Sequence, residues 1–188
     1  MSLYREDARR KRQMNKPDVY LFVDGSCGPS QDIGAWAALV VTASGRRKIL
    51  YGTAYPTTIS RCELIPIMEG LRWISKELVR FWGVRLRVYS DSEYTVKTLN
   101  GLYEKEHNTE LWAAVDEVVR RSGLQIEYVY RERNSHPYME LCDAVCTTLR
   151  HGGKNIAAAL FGLDPKEPEA SLPVAPLPDE IPDPEEAR

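Results

Sequence analysis

The sequence predicts an α/β fold: a five-stranded mixed sheet, its first three strands antiparallel, with helices on both faces. Three observations carry this. Three apolar runs joined by short turn signals fill residues 18–55. The apolar period then lengthens from a strand's to a helix's at about Cys62. From there helices and strands alternate to about residue 151. Consecutive short-linked strands make a meander, whereas strands joined through helices pair in parallel, so the two halves together make a mixed sheet.

The elements follow in order. Residues 18–24 (Val19-Tyr20-Leu21-Phe22-Val23 and Asp24) read as a buried strand, 34–42 as a second and 46–55 as a third, with Ser44-Gly45 as the turn between the last two. From Cys62 to about Phe81, Leu64, Ile67, Met68, Leu71, Ile74 and Leu78 keep helical spacing, with Ser60 as a cap. Pro66 lies past the first turn, where it removes one hydrogen bond and is expected to kink the helix start. Gly83 stops that helix. Residues 84–90 alternate charged and apolar as a fourth strand, and Asp91-Ser92 resembles the cap of a helix over 92–100. Residues 109–121 form a helix with Leu111, Trp112, Val115 and Val118-Val119 on its apolar face, and 124–130 alternate as a fifth strand. A last helix spans 137–151, with Pro137 suited to its first turn. In this order the first strand lies centrally beside the fourth. Asp24 and Asp91 become neighbours, although 67 positions separate them.

Charge divides the chain of 188 residues into three parts. Residues 1–16 form a basic arm of net charge +4, residues 164–188 an acidic tail of −6, and the central 17–163 balance to zero. The arm is suited to phosphate contacts. The tail contains Pro165, Pro168, Pro173, Pro176, Pro178, Pro182 and Pro184 among its acids. It is expected to be disordered, with protein partners unassigned and the tail the candidate surface for them. The four cysteines, Cys27, Cys62, Cys142 and Cys146, contain no C-x-x-C pair, which argues against a zinc ribbon. Cys142 and Cys146 share one helical face as small apolar fillers. No run is apolar and long enough to span a bilayer, and no signal peptide is evident. A cytoplasmic protein with reduced thiols and no membrane partner is therefore expected.

Four acids stand at element boundaries: Asp24, Glu63, Asp91 and Asp143. Carboxylates that converge repel one another and lose hydration, and they remain ionised together only with cations among them. Oxygen-only ligands favour hard ions, so magnesium is the expected cofactor, with manganese as a substitute.

These residues resemble the type 1 ribonuclease H family. Asp24-Gly25-Ser26 follows strand one, Arg61-Cys62-Glu63-Leu64 opens the first helix, Ser90-Asp91-Ser92 follows strand four, and His136-Pro137 precedes Glu140-Leu141-Cys142-Asp143. The resemblance covers about residues 17–152 and implies a ribonuclease H-like catalytic domain. It implies an endonuclease that hydrolyses the RNA strand of an RNA–DNA hybrid, leaving 5′-phosphate ends, with two magnesium ions about 4 Å apart. It gives Asp24 as the ligand shared by both ions, Glu63 and Asp91 on the leaving-group side, and Asp143 on the side of the attacking water. It also implies hybrid contacts from Gly25, Ser26, Cys27 and Glu63 to 2′-hydroxyls, and from Thr58 to a phosphate of the DNA strand.

Three departures from the family pattern stand out. Arg133 occupies about the place of a mobile histidine, and an arginine there binds phosphate but carries no proton near neutral pH. His136 aligns with a second histidine, open between a structural and a functional role. The stretch Leu102 to Asn108 is short and not basic where high-affinity members carry a basic, Trp-rich protrusion, and Glu93 replaces a frequent glutamine. Two other readings remain open: a non-catalytic nucleic-acid-binding module on this fold, and a related metal nuclease acting on DNA.

Overall fold

A computed structural model describes residues 16–29, 33–78, 83–152 and 174–178. The elements are β1 (Val19–Cys27), β2 (Gly34–Thr42), β3 (Arg47–Ala54), α1 (Ile59–Glu77), β4 (Arg85–Ser90), α2 (Glu93–Leu99), α3 (Thr109–Ser122), β5 (Gln125–Tyr130) and α4 (Pro137–Arg150). The sheet order is β3-β2-β1-β4-β5, with β1 central as expected. The first three strands are antiparallel, and β4 and β5 run parallel to β1.

Alternation along β1 sorts the core into two layers. Leu21 and Val23 join Ala38, Val40, Leu64, Ile67, Leu71, Trp112 and Val115 beneath α1 and α3. Tyr20 and Phe22 join Leu39, Tyr89, Tyr138, Leu141, Cys142, Val145 and Cys146 beneath α4. Asp24 is next in the even series, so it lies on the α4 side.

The two neighbours of β1 end at different heights. Its antiparallel ladder with β2 continues to Cys27↔Gly34, whereas its parallel ladder with β4 stops at Phe22↔Tyr89. Asp24 therefore does not close the strand, as the apolar run suggests, but lies inside it. Beyond Phe22 the sheet forks, and the edge of β1 that faced β4 is open. Ligand sites in α/β sheets form where neighbouring strands part in this way.

Local chemistry corrects several boundaries. Helix α1 starts at Ile59, and its N-cap is Thr58, whose hydroxyl accepts from Arg61 N–H at 3.4 Å, rather than Ser60. The helix runs through Pro66 to Glu77 and is capped by Leu78. Its expected extension to Phe81 lies outside the described residues. Ser92, not Asp91, caps α2 by accepting from Thr95 N–H. His136 caps α4, with Pro137 in the first turn.

Tail residues 174–178 are described, and their burial is uneven: Leu177 and Pro178 are buried, whereas Val174 and Pro176 are exposed. Leu177 is buried in the layer beneath α4, and the Tyr138 hydroxyl donates to Ala175 C=O while accepting from Ala175 N–H, both at 3.0 Å. The basic arm up to residue 15, and the rest of the acidic tail, lie outside the described residues. No helix among the described residues is long and apolar enough to cross a membrane.

Candidate active site

The fork in the sheet is walled by the starts of α1 and α2 and by one face of α4. Asp24 stands on β1, and Asp91 is the first residue after β4. Because Ser92 supplies the cap of α2, Asp91 is left available for other chemistry. Asp143 projects from the second turn of α4, seven residues into the chain of that helix. Asp24 responds to the charges of Asp91 and Asp143, and Glu63 to that of Asp91, so the acids act on one another electrostatically across the fork.

Gly25 explains how Glu63 comes so near. A Cβ on Gly25 would lie 2.3 Å from the carbonyl of Cys62 and 2.6 Å from Glu63 N, so only glycine lets the start of α1 sit on β1. Pro66 contributes here as well. It has no N–H for the Cys62 carbonyl four residues back, and that carbonyl is the group lying against Gly25.

Each acid has different company. Asp24 is 5% exposed, and its Oδ2 is buried with no hydrogen-bond partner. Its pKa is pushed up to about 7, first by burial and then by Asp91 and Asp143, with partial relief from Cys146 and Arg133. Glu63 accepts a 2.6 Å hydrogen bond from Ser92 Oγ. Burial nonetheless raises its pKa, offset by Ser92, and Asp91 adds to the rise. Asp91 is raised by burial, against the pull of Arg133, with Asp143 adding repulsion. Asp143 is paired with Arg133.

An orphaned oxygen on a buried carboxylate that feels the charges of Asp91 and Asp143 fits a hard cation. The other side chains do not form a closed ligand cage. Among the described residues no three acidic, imidazole or thiol groups stand at metal-ligand spacing. Glu63 is drawn to Ser92 and Asp143 to Arg133, as expected of carboxylates that repel one another and find other partners.

The remaining expected residues are distributed around this pocket. Gly25, Ser26 and Cys27 pair with Trp36, Ala35 and Gly34 of β2, and on their other side β1 is open. Cys27 C=O accepts from Arg150 Nη1 at 3.2 Å. Thr58 serves as the α1 cap, two residues from a cleft of about 270 Å³ lined by Ser60, Tyr94, Thr95, Glu106, His107, Asn108 and Trp112. Glu93 is paired with Lys97 at 2.7 Å, which offsets the charge it brings to this surface. Buried His136 accepts from Tyr138 N–H through Nδ1 at 3.1 Å and stacks on Phe22, contacts that serve the helix start and the core.

Sequence reasoning missed two contributions. Ser92 reads only as a cap, because its bond to Glu63 spans 29 positions and exists only in the fold. Cys142 and Cys146 read only as fillers, yet their thiols donate to the β1 carbonyls of Phe22 and Asp24 at 3.5 and 3.4 Å. Their four-residue spacing was the available signal.

Comparisons with known proteins agree with this fold. The family model described as RNase H matches residues 16–150. Ribonuclease H of Cupriavidus metallidurans is 31% identical over 144 residues, covering 68% of this chain and 92% of that protein. The N-terminal RNase H domain of rv2228c from Mycobacterium tuberculosis, solved as a fusion with maltose binding protein, superposes with a TM-score of 0.63 at 18% identity, covering 76% of this chain and all of that one. LC11-RNase H1, solved in complex with an RNA/DNA hybrid, gives a TM-score of 0.55 at 16% identity over 62% of this chain and 88% of its own.

Proposed function

The chain belongs to the ribonuclease H family, and from that membership we propose that it is a metal-dependent endonuclease hydrolysing the RNA strand of RNA–DNA hybrids. The observation that carries the proposal is the unpartnered, buried Oδ2 of Asp24, on a carboxylate that feels the charges of Asp91 and Asp143. A lone buried carboxylate with that company is unfavourable without a cation.

Asp24, Glu63, Asp91 and Asp143 would hold the ions, Glu63 and Asp91 serving the leaving group and Asp143 the attacking water. Two magnesium ions, when bound, supply a water acidic enough to ionise near neutral pH and neutralise the charge on the departing 3′-oxygen. The chain's own part is to hold negative charge in fixed positions. Ser92 orients Glu63 through its 2.6 Å bond. Arg133 neutralises Asp143 in the unliganded protein and passes to a substrate phosphate when a cation takes its place. Products carry 5′-phosphate ends.

RNA is told from DNA by its 2′-hydroxyls. The open edge of β1 at Gly25, Ser26 and Cys27, with Glu63 beside it, supports contact with those groups. Thr58 and the neighbouring cleft, with Tyr94 and Trp112 in its wall, support contact with the DNA strand.

Labelled RNA–DNA hybrid, duplex DNA and duplex RNA, each offered with magnesium, with manganese and with chelator, test the reading. Cleavage of the hybrid's RNA strand that stops with chelator and in Asp24→Asn is the expected result. Binding of hybrid without cleavage in either metal, or cleavage of duplex DNA, would replace it with a binding module or a DNA nuclease.

A further inference from the structure

The tail residues on α4 make a site that the nuclease reading does not use. Residues 174–178, Val174-Ala175-Pro176-Leu177-Pro178, lie against the first turn of α4. Three main-chain hydrogen bonds hold them. Tyr138 Oη donates to Ala175 C=O and accepts from Ala175 N–H, and His136 Nε2 lies 3.0 Å from Pro176 C=O. Tyr138 N–H already occupies His136 Nδ1, so the ring proton is on Nε2 and the imidazole donates to Pro176. Leu177 is buried with the core residues, whereas Val174 stays exposed. Main-chain bonds supply attachment, Leu177 and Pro178 are buried, and the prolines at 176 and 178 restrict the backbone, as in other peptide recognition.

The slot connects to the Arg133 loop. His136 and Tyr138 both pack on Phe22, at centroid distances of 5.1 Å. Phe22 stacks on Tyr89 at 5.2 Å, and Arg131 lies over the Tyr89 ring. Residues 131–136 are therefore held at one end by Arg131, which also donates its N–H to Ser90 C=O, and at the other by His136. The His136 C=O accepts from the N–H groups of Met139 and Glu140, so the same residue fixes the helix start. Arg133 sits between these anchors.

We propose that the N-terminal end of α4 is an exchangeable binding slot for a proline-containing peptide, that the chain's own residues 174–178 fill it, and that its occupancy fixes the loop carrying Arg133. Docking itself is independent of the nuclease reading. A segment attached to the same chain outcompetes a free peptide, so the slot is closed to outside peptides while the tail is native.

A fluorescent peptide of residues 172–179 is the probe, and full-length chain is the receptor. Two tail variants, Leu177→Asp and Ala175→Pro, withdraw the native occupant without touching the slot. The peptide is expected to bind both variants and not the native chain. Adding Tyr138→Phe to Leu177→Asp removes the hydroxyl's two bonds and is expected to weaken binding about tenfold. Backbone amide resonances of residues 131–136 are expected to shift in the tail variants and to return when peptide is added. Peptide that binds neither tail variant, or binds native and variant chains equally, overturns the exchangeable slot. Binding that leaves the 131–136 resonances unmoved overturns its link to Arg133.

Discussion

Asp24 sets the energetics of the pocket. A carboxyl whose pKa rises on folding, here to about 7, binds more protons folded than unfolded between its two pKa values. Stability in chelator should therefore be greatest at low pH within that window and fall as pH rises from about 4 to about 7, by at most about 4 kcal/mol. Urea unfolding with chelator across this range measures the slope. Asp24→Asn should flatten it, and magnesium should restore the stability lost at the alkaline end. Arg133 has a separate test. Its ion pair with Asp143 and its charge near Asp24 and Asp91 predict that Arg133→Ala weakens hybrid binding or slows cleavage. Steady-state kinetics with both KM and kcat unchanged would remove it from the site. The acids themselves were readable in the sequence because each stood in a short motif. Their unequal burial was not readable, because it depends on which face of β1 lies under α4.

Two local contacts decide how closely the elements approach. Gly25→Ala places a methyl group against the Cys62 backbone, so α1 must shift and carry Glu63 with it. A stability loss of about 1–3 kcal/mol is expected from the overpacking, with hybrid cleavage falling further than the change in melting temperature explains. Ser92→Ala removes the α2 cap at a cost of about 1 kcal/mol. It also frees Glu63, and a loss of about 10–100-fold in metal affinity, read by calorimetric titration, is expected from an orienting partner. Most elements were legible from period and punctuation. Gly101 and Gly123 follow the ends of α2 and α3 with positive φ, and Pro137 marks the start of α4. The α1 cap was missed because Thr57, Thr58 and Ser60 all have capping chemistry, and only tertiary packing selects Thr58. The continuation of β1 beyond Asp24 was missed because polar residues at 24 and 26 resemble a turn. The ladder with β2 overrides that local signal.

The order of strands and helices was enough to place β1 beside β4 and so to join Asp24 with Asp91. What it could not show was the reach of the tail: a proline-rich acidic composition argues against a packed core, yet Leu177 needs only one slot. The basic arm belongs to the same level of organisation. Deleting residues 1–16 should weaken hybrid binding most at low salt, lowering the slope of log affinity against log salt by about 0.7–0.9 for each phosphate the arm neutralises. An unchanged slope in a filter-binding titration would exclude the arm from the interface. The account as a whole depends on a cation reaching the orphaned oxygen of Asp24. Anomalous diffraction from crystals of the protein with manganese and an uncleavable hybrid tests this directly. The predicted result is manganese in contact with the Asp24 carboxylate and bounded by Glu63, Asp91 and Asp143, and manganese bound only elsewhere, with Asp24 untouched, would contradict it.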